Sequence, residues 1–342
     1  MKIFIAEAEQ KLLRPLYENY YGTQETPELL SSSHWKLYHQ SAKVEFIDGK
    51  IAKLTGLGFG DLQIKSFSYR ILSWLTTLSY MAQLSNKDEL IELIGVSHRV
   101  LKRMGLYFTY DCFRQLCAWH LISQKLKNKR NLKIINIGDG YGFLSAFIKE
   151  MMPDAKICLV DLGKTLLFQA HYCFSAHSNY SHALVSDLSQ PDIQNITADF
   201  IYCPAELLLN LENFSFDVAI NISSMQEMTP EVIGGYFDFL RQHLSKDNLF
   251  YCCNREEKRL PAGEITRFLL YPWHKNDVHL VDEDCPWYRY FFSWRKAANG
   301  PRLWNIRIPL VNFFDGLIRH RLTILSTLDL APNKTPESIK NV

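Results

Sequence analysis

The apolar and polar positions along this chain change period near residue 130. Before that point, "FSYRILSWLTTLSYMAQL" and "TYDCFRQLCAWHLISQKL" space their apolar residues three and four apart, the repeat of a helix with one buried face. Thr109 is the predicted cap of the second helix. Between them, "SNKDELIELIGVSHRVLKRMGL" reads as two short amphipathic segments divided by Gly95. Residues 1–130 are therefore expected to form a helical lobe. The stretch holding Lys125, Lys127, Lys129, Arg130 and Lys133 is expected to be a solvated connection rather than a phosphate site.

After the break the pattern is that of buried strands alternating with helices. "LKIINI" is a continuous apolar run, as a strand covered on both faces requires, and it leads through glycines into the helical "FLSAFIKEMM". Pro153 and Asp154 turn the chain into a second such run, "KICLVDL". Strand, helix and strand in this order imply parallel pairing with a right-handed crossover. "ADFIYC", "FDVAINIS" and "NLFYCCN" read as further buried strands, with the helical "PEVIGGYFDFLRQHL" between the last two. The expected fold class is α/β, a Rossmann-like doubly wound sheet over residues 131–330. "HRLTILSTL" adds a late strand, and residues 331–342 are expected to be a flexible tail.

Composition narrows the function. Lys plus Arg number 38 and Asp plus Glu 36, a formal charge of +2, too little field to hold a nucleic acid. The eight cysteines mostly sit in apolar runs without metal-binding spacing, so they read as small hydrophobes in a reducing compartment and no metal site is expected. The sequence has no apolar run of about 18 residues that would span a membrane. A cytoplasmic protein that binds neither nucleic acid nor membrane is the expectation.

Between the first strand and its helix stands "NIGDGYG", with Gly138, Gly140 and Gly142 free to take positive φ and admit a ligand close to the backbone. A dinucleotide fingerprint would need glycine at position 143, which is Phe143. Asp161 ends the second strand, where a carboxylate can accept both hydroxyls of a ribose. A second triplet, Gly56, Gly58 and Gly60, follows no long buried strand and reads as a loop.

Strand, G-x-G-x-G, helix, strand and terminal acid together resemble the class I S-adenosylmethionine-dependent methyltransferases over roughly residues 131–255. "FDVAINISSMQEMTPEVIGGYFDFL" followed by "NLFYCCN" and "YPW" is similar, more narrowly, to the sugar O-methyltransferases. The resemblance implies S-adenosylmethionine as cofactor, with Gly138, Asp139, Gly140 and Gly142 around its methionine part and Asp161 and Leu162 at its ribose. It further implies Pro204 and Ala205 near the adenine, and Asn221 and Ser223 beneath the sulfonium. Asn136 and Asp139 depart from the usual acidic and small residues of the group.

The implied partner is a small hydroxylated acceptor, a sugar, with the N-terminal lobe covering it and offering surface for a homo-oligomer. A sugar hydroxyl needs a base as its bond to carbon forms. Glu227, just past the fourth strand, and His274 and His279 near the aromatic "YPW" are the candidates. Mg²⁺ held by Asp282, Glu283 and Asp284 would be another activator, although that run reads more simply as a solvated acidic turn. An NAD-dependent oxidoreductase and a non-catalytic cofactor-binding protein of the same fold remain as rival readings.

Overall fold

The computed structural model describes residues 2–21, 32–39, 43–47, 50–55, 66–85, 87–126, 129–185, 197–211, 214–292, 300, 302–307, 310–313 and 316–327. The second glycine triplet, Lys127 and the tail from 331 lie outside the described residues. The N-terminal segment contains α1 (Lys2–Tyr20), α2 (Ser33–His39), β1 (Lys43–Ile47), β2 (Lys50–Thr55), α3 (Phe67–Met81), α4 (Asp88–Met104) and α5 (Tyr110–Ser123). There follow β3 (Lys133–Ile137), α6 (Phe143–Met151), β4 (Lys156–Asp161), α7 (Gly163–His177), β5 (His182–Leu184), β6 (Phe200–Pro204), β7 (Phe216–Ile222), α8 (Pro230–His243) and β8 (Leu244–Arg255). Last come β9 (Glu257–Arg259), β10 (Ile265–Arg267), β11 (Val278–Asp284), β12 (Tyr290–Phe292), β13 (Arg302–Leu303), β14 (Ile306–Arg307), β15 (Val311–Phe313) and β16 (Ile318–Ile324).

An eight-stranded sheet in the order β11-β16-β8-β7-β3-β4-β6-β5 forms the centre. β5 to β8 together with β3 and β4 pair in parallel, whereas β16 runs antiparallel to both β8 and β11. Alternate residues of each buried strand feed opposite faces. Ile134, Ile157 and Leu159 join the cluster built by α1, α4, α5, α6 and α7. Ile135, Cys158 and Val160 join the one built by α8. The vicinal Cys253 and Cys252 divide between the two clusters in the same way. A mostly parallel sheet wound by helices on both faces is the Rossmann-like doubly wound α/β class expected from the sequence pattern.

The structure departs from the sequence expectation at several places. Residues 88–104 form one helix that runs through Gly95. A glycine inside a helix costs only about 1 kcal/mol, and the buried face of Leu90, Leu93, Ile94, Val100, Leu101 and Met104 outweighs it. Asp88 and Glu89 in its first turn, Lys102 and Arg103 in its last, and Gly105 at φ 69° close it at both ends. Thr109 holds the N-cap position of α5 but makes no capping bond; its hydroxyl faces the Cys112 sulfur at 3.8 Å. The helical segment also contains a hairpin, β1 paired with β2.

The helices before residue 130 share one continuous core with the sheet: Leu12, Leu13 and Leu16 of α1 belong to the same cluster as Phe168 and Leu322. α7 begins at Gly163, where a Cβ would lie 2.3 Å from the Tyr20 ring of α1.

Candidate active site

Strand order reverses between β3 and its neighbours β4 and β7, and in such sheets ligands settle in the crevice beyond the carboxyl ends at that reversal. A cavity of about 170 Å³ lies there, lined by the turn after β3, the end of β4, the turn after β7 and side chains from α2, α5 and α7.

The turn after β3 needs its glycines. Gly138, Gly140 and Gly142 have φ of 77°, 62° and 74°. A Cβ on Gly138 would sit 2.0 Å from the Ser224 hydroxyl, and one on Gly142 would sit 2.7 Å from the Cys173 sulfur. Gly138 and Gly140 thus face the cavity, while Gly142 lets α6 and α7 approach. Asp139 is buried and accepts the amides of Leu144 and Ser145, at 3.3 and 2.8 Å, in the first turn of α6. Burial pushes its pKa up to about 7 against those hydrogen bonds, and the nearby Asp111 adds to the rise. Asn136 donates to the Ser145 hydroxyl at 3.1 Å and so braces the same turn.

Asp161 lines the cavity, accepting its neighbour's amide, Leu162 N, at 2.8 Å and Gln169 Nε2 at 2.6 Å. These bonds orient the carboxylate. Beside it a slot of about 20 Å³ is walled by Val160, Leu162, Ala205, Met228, Val232, Tyr236 and Trp35. Pro204 ends β6 opposite Asp161 in the register of β4 with β6.

Ser223, the first residue past β7, has φ 57°, a left-handed conformation uncommon for a side chain with Cβ and met at strained functional turns. Its amide donates to Cys253 O at 2.7 Å and its hydroxyl pairs with Tyr288 OH at 3.1 Å. The Arg114 guanidinium stacks over the Tyr288 ring at 4.3 Å and is bonded to Asp111. Asn221, fully buried, does not reach the cavity. It donates to Ile137 O at 2.9 Å and accepts from Met225 N at 3.2 Å and Asn254 Nδ2 at 2.9 Å, tying together the ends of β3, β7 and β8.

Of the three candidate bases, the structure brings Glu227 to the cavity and leaves His274 and His279 elsewhere. His279 lies on β11, separated from β7 by β8 and β16, with Nδ1 2.9 Å from the Thr323 hydroxyl. His274 caps a turn, its amide donating to Asp277 at 2.7 Å. The Glu227 carboxylate takes Lys258 Nζ at 2.7 Å and stands 3.4 Å from His34 Nε2. Burial raises its pKa, but the His34 hydrogen bond and the Lys258 charge outweigh this and hold it below the ordinary carboxylate range.

The acidic run on β11 is engaged with neighbours: Asp282 bonds Arg319 at 2.7 Å and Arg321 at 2.9 Å. Among the described residues no group of three His, Cys, Asp or Glu is placed to hold a metal, and no helix is long and apolar enough to cross a membrane.

Sequence reasoning missed Trp35, Asp111, Gln115, Thr165 and Tyr288, which also line the cavity. Asp111 and Gln115, four apart and so on one face of α5, were a signal of a polar stripe turned toward a ligand.

No family profile matches the sequence, and no curated protein matches it. Among solved structures, the pyocyanin biosynthetic protein PhzM aligns at 14% identity over 40% of this chain and 36% of its own, with TM-score 0.30. An S-adenosylmethionine-dependent methyltransferase from Clostridium acetobutylicum aligns at 14% identity over 61% and 90%, with TM-score 0.34. TrmN from Thermus thermophilus aligns at 11% identity over 62% and 48%, with TM-score 0.37. The chain thus spans about a third of the length of PhzM and about half that of TrmN.

Proposed function

We propose that the protein is an S-adenosylmethionine-dependent methyltransferase that transfers a methyl group to a hydroxyl of a sugar or related small metabolite. One observation carries this reading: Asp161 faces a positive-φ glycine turn in a cavity whose described lining includes Asp111, Asp139, Asp161 and Glu227 but no Lys, Arg or His. Asp111 is paired with Arg114 and Glu227 with Lys258, so what stands against a pyrophosphate is Phe143, where a dinucleotide turn needs its third glycine. That departure disfavours NAD.

The residues fit such a cofactor by their chemistry. Gly138 and Gly140 open the backbone to its methionine part, Asp161 accepts ribose hydroxyls, and Leu162 and Ala205 offer an apolar wall to the adenine. When bound, the cofactor supplies an activated methyl group. The protein's part is to align the acceptor and exclude water. Ser223 and Tyr288 offer hydroxyls to an acceptor sugar, and Glu227 offers a fixed negative charge.

The test is a calorimetric titration with S-adenosylhomocysteine, with NAD in parallel. Micromolar binding of the former alone is expected. Binding of NAD instead would move the protein to the oxidoreductases, and binding of neither would favour a non-catalytic role.

Once an acceptor is in hand, Glu227→Gln separates binding from turnover. Its low pKa makes Glu227 a hydrogen-bond acceptor more than a strong base, so turnover should fall by about 10- to 100-fold, the worth of a charged hydrogen bond. Affinity for S-adenosylhomocysteine should stay near that of the wild type. Undiminished turnover removes Glu227 from the chemistry.

A further inference from the structure

The 170 Å³ cavity and the 20 Å³ slot share Gly138, Asp161, Ser224 and one residue from far upstream, Trp35. Its indole is 9% exposed and packs edge-on to His34 at 5.4 Å and tilted to His39 at 5.3 Å. It rides on α2, which is tethered at both ends. On one side Ser32 donates to Glu227 O, Ser33 donates to Glu264 at 3.0 Å and receives Ala262 N at 3.1 Å, and His34 meets Glu227. On the other, His39 Nε2 lies 3.2 Å from the Thr165 hydroxyl, at the start of α7.

Glu227 follows β7, Ala262 and Glu264 lie between β9 and β10, and Thr165 follows β4; in the sheet β3 lies between β7 and β4. α2 therefore crosses above the glycine turn, and Trp35 closes the side of the crevice next to Asp161, Leu162 and Ala205. The slot holds little more than one water, which needs about 10–15 Å³. A flat heteroaromatic ring enters only as the indole gives way and comes to lie against it.

We propose that Trp35 is a cofactor-binding residue, an aromatic wall brought by α2 on which the adenosine end of S-adenosylmethionine stacks. The inference rests on the methyltransferase reading above and adds a binding residue from outside the doubly wound domain.

The probes are S-adenosylhomocysteine and 5′-methylthioadenosine, which keeps the adenosine and lacks the amino-acid end. Trp35→Ala is expected to weaken both by the same factor, about 5- to 150-fold, the span of base–aromatic stacking. Trp35→Phe keeps an aromatic face and should stay within about threefold. Seven tryptophans contribute to emission, so the indole is isolated by difference: a fluorescence change on adding S-adenosylhomocysteine to the wild type should vanish in Trp35→Phe.

Wild-type binding with undiminished affinity in Trp35→Ala overturns the inference alone, and so does an undiminished fluorescence change in Trp35→Phe. Should Trp35→Ala not fold, the Trp35→Phe fluorescence arm decides. A wild type that binds neither probe overturns the methyltransferase reading itself, and the inference with it.

Discussion

Arg241→Ala is expected to destabilise the fold by about 3–5 kcal/mol, the usual result of stripping one partner from a buried ion pair. Arg241 sits on α8 with 1% of its side chain exposed, against an Asp277 side chain that is 0% exposed. Its two terminal nitrogens reach the two Asp277 oxygens at 2.7 and 2.8 Å, and they also donate to Ser326 O at 2.9 Å and Pro272 O at 2.8 Å. Alanine leaves a carboxylate without a cation and two carbonyls without a donor. Denaturant unfolding should show a lower midpoint with unchanged slope, and an unshifted midpoint would refute the assignment. Replacing both residues by apolar ones of similar size should cost less than the single change, because no charge is then stranded.

The same pair predicts a pH signature. Burial pushes the Asp277 carboxyl up, but Arg241 and the amides of Ser326 and His274 hold it down, at about 2. Its unfolded value is about 3.9, so the stabilisation is complete above about pH 4 and fades as pH falls toward 2. Arg241→Ala should flatten that slope.

Asp161→Ala should weaken S-adenosylhomocysteine binding by about 10- to 150-fold, corresponding to about 1.5–3 kcal/mol for a hydrogen bond to a charged group. The carboxylate is aimed from both sides, by the Leu162 amide and by Gln169, so its loss removes an oriented acceptor rather than a mobile one. Gln169→Leu should give a smaller loss in the same titration, since it frees the carboxylate to rotate without removing it. Equal affinity in wild type and Asp161→Ala would place the ribose elsewhere.

β3, its glycine turn and Asp161 were legible in the sequence because each is locally determined. A strand buried on both faces must be apolar throughout, and the turn must adopt positive φ at 138, 140 and 142. The place of His274 and His279 was not legible, because the position of β11 depends on β16 inserting beside β8, a pairing between segments about 70 residues apart. Trp35 escaped for a related reason. Its aromatic side chain on a seven-residue helix reads as core until the tethers to Glu227 and Thr165 show what it covers. The resemblance places Asn221 beneath the sulfonium, whereas its amide oxygen accepts from Met225 N and Asn254 Nδ2 and its nitrogen donates to Ile137 O.

All eight cysteines are free and buried. Burial pushes the Cys112 thiol up to about 12 and drives Cys117, Cys173 and Cys203 well above their ordinary value. Alkylating reagents attack the thiolate, so the native molecule is nearly silent toward them. Each label acquired then dates an opening of the chain around it. Cys252 and Cys253 report the centre of the sheet, and Cys112 and Cys117 report α5 beside the crevice. The order in which they react as conditions loosen the fold is a built-in chart of which parts of the molecule come apart first.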